Sequence, residues 1–289
     1  MQRREHPGFA AAAMLATLVA AGACSSAGSR PAAEASPPAT SAETPHAAVA
    51  RIAARIRRAD YEGDRAQLAK LYEAMAPYAQ GPLASRARYW RGFAMWRRAL
   101  NGFNDKAEPA ELAADLKRGI EEFDAASAAD PRFTDAKIGA ASCWVNLSFL
   151  QAGPERTQGY AKHNELLGEA RKADPANPRL AWVLGATQFY TPPQFGGGQA
   201  KAIETYEAGL VSARQERVTD DLDPAWGEPE LLMNLAFSNL NRAQPDLAAA
   251  DRYAQAALKL VPHWHYIRDI LIPQIRAAQS AAPRASAPH

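Results

Sequence analysis

Between Pro45 and Ala278 the apolar residues recur at intervals of three and four. Leu68, Leu71, Tyr72 and Met75 share one helical face, and Leu112, Leu116, Ile120 and Phe123 share another. Leu258, Ile267, Ile270 and Leu271 continue the trend, and no stretch alternates strictly as a half-buried strand would. Prolines and glycines fall between these periodic stretches, at Gly81-Pro82, Asp130-Pro131, Asp174-Pro175, Thr191 to Gly198 and Val261-Pro262. Alanine is abundant and β-branched residues are few, which favours helix further. The pattern predicts an all-α body of roughly ten helices.

A second pattern lies on top of the first. Gly119, Phe123, Ala126 and Pro131 are spaced by four, three and five, and His163, Leu167, Ala170 and Pro175 repeat those intervals. Ala250, Ala254, Ala257 and Pro262 repeat them again, while Ala202, Tyr206 and Gly209 form a copy without the proline. Small residues let a neighbouring helix approach, a large one fills the gap beside it, and proline ends the helix. This order resembles the second helix of the tetratricopeptide repeat. Leu184-Gly185 with Trp182, Ala140-Ala141 with Trp144, and Leu235-Ala236 resemble parts of its first helix. The resemblance spans about Leu112 to Trp264 and implies a helix-turn-helix repeat solenoid with a concave face.

The period departs from the family. Pro131 to Pro175 is 44 residues and Pro175 to Pro262 is 87, against about 34 for a standard repeat. Insertions are expected at Gln151 to Thr157, Thr191 to Gly198 and Glu216 to Glu228, and a HEAT-like solenoid stays open as the alternative.

The N-terminus reads as an address. Arg3 and Arg4 precede an apolar stretch from Phe9 to Ala21, too short for the about 20 residues of a membrane span. Ala21-Gly22-Ala23-Cys24 resembles the lipobox of bacterial lipoproteins, which implies lipidation at Cys24; Ser25 after it implies the outer membrane. Residues 1–23 are thus expected to be a signal peptide, and residues 24–44, rich in Ser, Ala, Pro and Glu, a lipid-anchored flexible linker. Residues 45–278 form the repeat domain, and residues 279–289 a disordered tail.

Charge is nearly balanced, with 33 lysines and arginines against 31 aspartates and glutamates. No basic excess points to nucleic acid. The two cysteines, Cys24 and Cys143, exclude a disulfide framework.

Candidate chemistry is sparse. Pro192-Pro193-Gln194-Phe195 followed by Gly196, Gly197 and Gly198 could offer backbone N–H groups to an anion, or serve as a rigid turn with Phe195 in the core. The same run, read from Tyr190, resembles loops of exported tetratricopeptide-like proteins. His263 and His265 point to opposite sides of a helix, so no metal site is expected. Asp220, Asp221, Asp223, Glu228 and Glu230 read as a solvated acidic loop and helix start. Cys143, among Ala140, Ala141, Trp144 and Leu147, reads as a core thiol. Arg51, Arg55, Arg57 and Arg58 read as a solvated helix face. No nucleophile or metalloprotease motif is present, so neither an enzyme nor a cofactor is expected.

If the repeat register holds, Asn146, Trp182, Phe189, Tyr190 and Asn241 face the groove, with Asn146, Tyr190 and Asn241 at equivalent places. Rings and amides so placed suit a peptide, so the sequence predicts a periplasm-facing scaffold for another envelope protein. The alternative comes from resemblance: in export signal and helical repeats the chain is similar to the T-component lipoproteins of tripartite periplasmic transporters, which implies a small-molecule accessory.

Overall fold

A computed structural model of the chain describes residues 43–281. The expected signal peptide, the Cys24 anchor, most of the linker and the last eight residues of the tail lie outside the described residues. Among those described there are eleven α-helices and no strand. They run α1 (Pro45–Glu62), α2 (Arg65–Ala74), α3 (Ala84–Asn104), α4 (Pro109–Ala129), α5 (Thr134–Phe149) and α6 (Gly153–Ala173). Then follow α7 (Pro178–Tyr190), α8 (Gln199–Gln215), α9 (Glu228–Asn241), α10 (Leu247–Leu260) and α11 (Ile272–Ala281).

Local chemistry sets the boundaries. Thr44, Asp64, Asn177 and Asp246 each accept a backbone N–H from the first turn of the helix that follows them. Pro45, Pro109, Pro178 and Pro229 occupy first-turn positions, where the missing N–H costs nothing. α1 stops at Gly63, whose φ of 72° glycine adopts without strain.

Consecutive helices pack as antiparallel pairs, α3 with α4, α5 with α6, α7 with α8 and α9 with α10. The small–large–small pattern is the contact surface. Phe123 of α4 presses on both Gly92 of α3 and Gly139 of α5; a Cβ on Gly139 would lie 2.4 Å from the Phe123 ring. Tyr206 of α8 fills the equivalent dent at Gly185 of α7, where a Cβ would lie 2.3 Å from its ring. At Gly209 the spare room goes to Ala181, 2.5 Å from where a Cβ would stand. Each large residue is buried together with the small ones flanking it. The fold is an all-α helical repeat, as the pattern predicts.

Three expectations need correction. Only Leu150, Gln151 and Ala152 separate α5 from α6, because Gly153 to Thr157 already belong to α6. The extra length of the repeat therefore sits in long helices, with 21 residues each in α3, α4 and α6, and in the segments 191–198 and 216–227. The domain also continues past residue 278, since α11 runs to Ala281. Finally, the acidic segment is not simply solvated. Leu222 and Trp226 are buried, and Glu230 at the start of α9 is 1% exposed.

That segment closes the stack. Trp90 of α3 donates its indole N–H to the Leu222 carbonyl at 2.8 Å, and Trp226 donates to the Tyr89 hydroxyl at 2.8 Å. Tyr61 of α1 donates to Glu230 at 2.5 Å and stacks edge-on against Trp264, centroids 4.9 Å apart. The first helices thus touch the last ones, and the stack curls back on itself. Its inner side is floored by rings: Trp96, Trp182 and Trp226 stand edge-to-face in a triangle, with centroid separations of 5.6, 5.7 and 5.8 Å.

Candidate functional site

Above this floor the first helices of successive repeats leave an apolar cleft of two adjoining hollows, about 240 and about 470 Å³ in volume. Leu100 of α3, Trp182, Ala186 and Tyr190 of α7, and Asn234 of α9 line both. The positions 182, 186 and 190 fall one turn apart, so α7 presents them as a single stripe. Ala186, small and central in that stripe, leaves the room.

The five residues expected in a groove divide. Trp182 and Phe189 line the cleft but are nearly buried, at 7% and 8% exposure; Tyr190 is 68% exposed at its mouth. Asn146 lines the larger hollow, but donates its amide to the Ser142 carbonyl at 2.7 Å. Asn241 lines neither hollow; it is exposed and donates to the Phe237 carbonyl at 2.9 Å. Both amides are engaged within their own helix. Counted from the helix starts at Thr134, Pro178 and Glu228, Asn146 and Tyr190 each stand twelve residues in and Asn241 thirteen, while α5 alone runs on to Phe149.

Several lining residues escape the sequence pattern. Phe149 reaches the larger hollow and is 57% exposed. Following α9 back from Asn241 by helical turns reaches Phe237, Ser238 and Asn234. Arg97 and Leu100 lie on α3, one repeat before the stretch that carries the family resemblance, with Gly92 marking it as a first helix.

Arg97 is 5% exposed and pairs through Nε with the buried Asp60 at 2.8 Å. Its guanidinium also stands 5.5 Å over the Trp182 ring. Behind it, Glu230 accepts from Tyr61 and from the Gly227 N–H at 2.8 Å, and burial pushes its carboxyl up from the usual range. Four buried polar atoms on residues of the smaller hollow have no hydrogen-bond partner among the described residues, namely Arg97 Nε and Nη1, Trp182 Nε1 and Ser238 Oγ, although Arg97 Nε lies 2.8 Å from the Asp60 carboxylate.

A second, polar hollow of about 420 Å³ lies between Arg86, Asp130, Asp135, Arg179, Glu216 and Asp223. Its carboxylates are already engaged. Arg86 binds Asp130 at 3.0 Å and Asp223 at 2.6 Å, while Arg179 binds Asp135 at 2.6 Å and Glu216 at 2.5 Å. These pairs tie the segment 216–227 to α3, α5 and α7.

The remaining motifs are occupied locally. In the run 192–198 the N–H groups of Gly196, Gly197 and Gly198 bond to the carbonyls of Pro193, Pro192 and Gln188, so they face no anion. Phe195 is 76% exposed and lies outside the core. His265 pairs with Asp269 at 2.7 Å, and His263 sits against the Tyr61 ring. Exposed His46 meets Asp220 at 3.2 Å and Asp221 at 3.5 Å on the surface, close enough for the three to share a cation, a grouping that the sequence pattern does not predict. Cys143 is fully buried, and burial holds its thiol well above the usual range. Arg51 and Arg58 pair with Glu43 and Glu62, while Arg57 is half-buried, 5.9 Å from the Trp90 ring.

Comparison with solved structures agrees with an all-α, tetratricopeptide-like repeat fold. The chain is similar to the HusA haemophore from Porphyromonas gingivalis, with a TM-score of 0.55 and 19% identity over 69% of this chain and 96% of that one. It is also similar to a thermophilic TPR protein of Thermus thermophilus, with a TM-score of 0.50 and 17% identity over 80% and 97% of the two chains. At such identity the likeness concerns the fold. No protein-family model matches the chain, and no curated protein matches it significantly.

Proposed function

We propose that this is a binding protein whose inner cleft holds an apolar, ring-bearing small molecule. The observation that carries this reading is the lining itself. Trp182, Phe189, Tyr190 and Phe237 surround hollows of about 240 and 470 Å³, and among the described residues no aspartate, glutamate, lysine or histidine lines either. Concave, aromatic and sparingly polar is the usual make-up of a small-molecule site. Such a lining offers no general base, which supports binding without catalysis. One solved structure of similar fold is by its name a haemophore, so haem is a reasonable first probe. Export and anchoring through Cys24 complete the proposal and rest on the lipobox-like sequence.

The test is titration of the full chain, in detergent, with haem and with pyrene derivatives, read by quenching of tryptophan emission. Saturable quenching is expected. Ala186→Trp, which fills the junction of the two hollows from a partly exposed position, should weaken it at least about tenfold, or 1.4 kcal/mol, with an unchanged circular-dichroism spectrum. Absence of saturable binding by every probe would overturn the reading.

A second reading, a scaffold for another envelope protein, is favoured by the exposed Phe149 and Tyr190 at the mouth. It would take over if the Phe149→Ala, Tyr190→Ala double variant lost a stoichiometric partner from crosslinked membranes while no small molecule bound.

A further inference from the structure

Where the segment 216–227 meets the start of α1, three side chains able to bind a metal converge. His46 Nε2 lies 3.2 Å from Asp220 Oδ1 and 3.5 Å from Asp221 Oδ1, and one donor atom from each residue falls within 4.8 Å of the other two. The imidazole stands 174 residues from Asp220 in the chain, so the fold assembles the group. All three residues are exposed, and none lines either hollow of the cleft.

The spacing is that of a coordination shell. Ligands about 2.0–2.2 Å from a tetrahedral zinc ion stand about 3.3–3.6 Å from one another. Both contacts of His46 match that separation, and the two exposed carboxylates can close the third side by rotating. Charge also sets this group apart from its neighbours. Asp223 is bound by Arg86 at 2.6 Å, and Glu216 by Arg179 at 2.5 Å. Among the described residues Asp220 and Asp221 pair with no lysine or arginine, only with His46. Two adjacent carboxylates without a full cation repel each other, and with a neutral imidazole they balance a divalent ion. Both sides of the group are held in place independently of it. His46 sits in the first turn of α1, which Thr44 caps. Asp220 accepts the Leu222 N–H at 2.9 Å, and the carbonyl of buried Leu222 accepts the Trp90 indole.

We infer that His46, Asp220 and Asp221 bind a divalent transition ion of the zinc class, which clasps α1 to the segment that closes the stack. One nitrogen and two carboxylate oxygens suit zinc or nickel, whereas calcium and magnesium favour shells made of oxygen alone. Three protein ligands leave the remaining position to water. Folding brings His46 to the two aspartates, so the ion binds the folded chain preferentially and stabilises it.

The experiment uses the full chain in detergent, stripped of metal with a chelator, titrated with Zn2+ by calorimetry and melted with and without the ion. Saturable binding is expected, with a Tm raised by at least about 5 °C at about 100 times Kd; Ca2+ and Mg2+ should give neither. His46→Gln, at an exposed position, should weaken Zn2+ at least about tenfold and abolish the Tm rise while leaving the circular-dichroism spectrum unchanged. Asp221→His exchanges an oxygen ligand for a nitrogen, so it should keep Zn2+ and tighten Ni2+. Loss of Zn2+ in Asp221→His would indicate attraction by charge without ligation and overturn the inference. Equal Zn2+ affinity in the native chain and His46→Gln would place the ion elsewhere and overturn it too, as would Ca2+ binding as tight as Zn2+ or no Zn2+ binding at all.

Discussion

Two arginines lie buried on the inner side of this stack, and their surroundings are opposites. Arg179, 4% exposed, bonds to Asp135 through Nε, to Glu216 through both terminal nitrogens, and to the Trp226 carbonyl at 3.2 Å. Arg97 is as deeply buried but has one carboxylate, Asp60, and a terminal nitrogen with nothing to bond among the described residues. A saturated guanidinium has no capacity left and acts as a clamp. One with a single carboxylate is balanced in charge but not in hydrogen bonds, at a cost in stability. The polar hollow around Arg179 is therefore architecture, and the apolar hollow beside Arg97 is where a ligand is expected.

The largest effect should come from breaking the clamp. Arg179→Met leaves Asp135 and Glu216 without their cation, and one-sided removal of a buried pair costs about 3–5 kcal/mol. Chemical denaturation of the full chain should show that loss, with a red shift of tryptophan emission as Trp226 gains solvent. A cost below about 1 kcal/mol would mean the pairs are as weak as surface ones, and the contrast between the two arginines would collapse.

A smaller effect sharpens the Arg97 side. Burial raises the Glu230 carboxyl above its ordinary value of 4.5, so the folded state binds more protons than the unfolded one. Stability from this group is then full below pH 4.5 and is lost as pH rises through the raised folded value. Glu230→Gln removes that dependence, and its amide can still accept from Gly227 and donate to the Tyr61 oxygen. The stability of the variant relative to the native chain should therefore improve steadily from pH 4.5 towards neutrality. Parallel stability–pH curves would show Glu230 ionised as usual, and Arg97 already balanced twice over. Asp135, also raised by burial, is present in both proteins and cancels.

How much of this was readable depends on whether a residue's role shows in its neighbours along the chain. Gly119, Phe123 and Ala126 announce a helix contact by spacing alone, and the same register in α6, α8 and α10 is buried as the spacing requires. Trp182 and Tyr190 could be placed on one face of α7 for the same reason. Arg97 could not. Adjacent Arg98 is its match in sequence but pairs with Glu111 and Asp115 of α4, while Arg97 turns inward to Asp60 on α1. Which of two neighbouring arginines is buried depends on a partner 37 residues away. Leu222 and Trp226 were obscured differently, as single apolar residues in an acidic stretch that has no periodicity to follow. Glu230 reads as an exposed helix start until Tyr61 is seen above it.

The smallest effect expected is at Phe195, and it tests what marks the site. Phe195 is the most exposed large apolar side chain described, at 76%, and Pro192 of the same turn reaches the larger hollow. If exposed rings drew the ligand, Phe195→Ser should lower the affinity for haem or a pyrene probe several-fold. If the Trp182, Ala186 and Tyr190 stripe marks the site, the substitution should leave that affinity unchanged. Stability should move by no more than about 0.5 kcal/mol, as for most surface changes, because the turn is held by backbone bonds from Phe195 to Pro192 and from Gly198 to Gln188. An unchanged affinity here, beside a reduced one in Ala186→Trp, would place recognition inside the cleft. A loss at Phe195 would instead extend the site outward over the turn and favour a larger partner laid across the mouth.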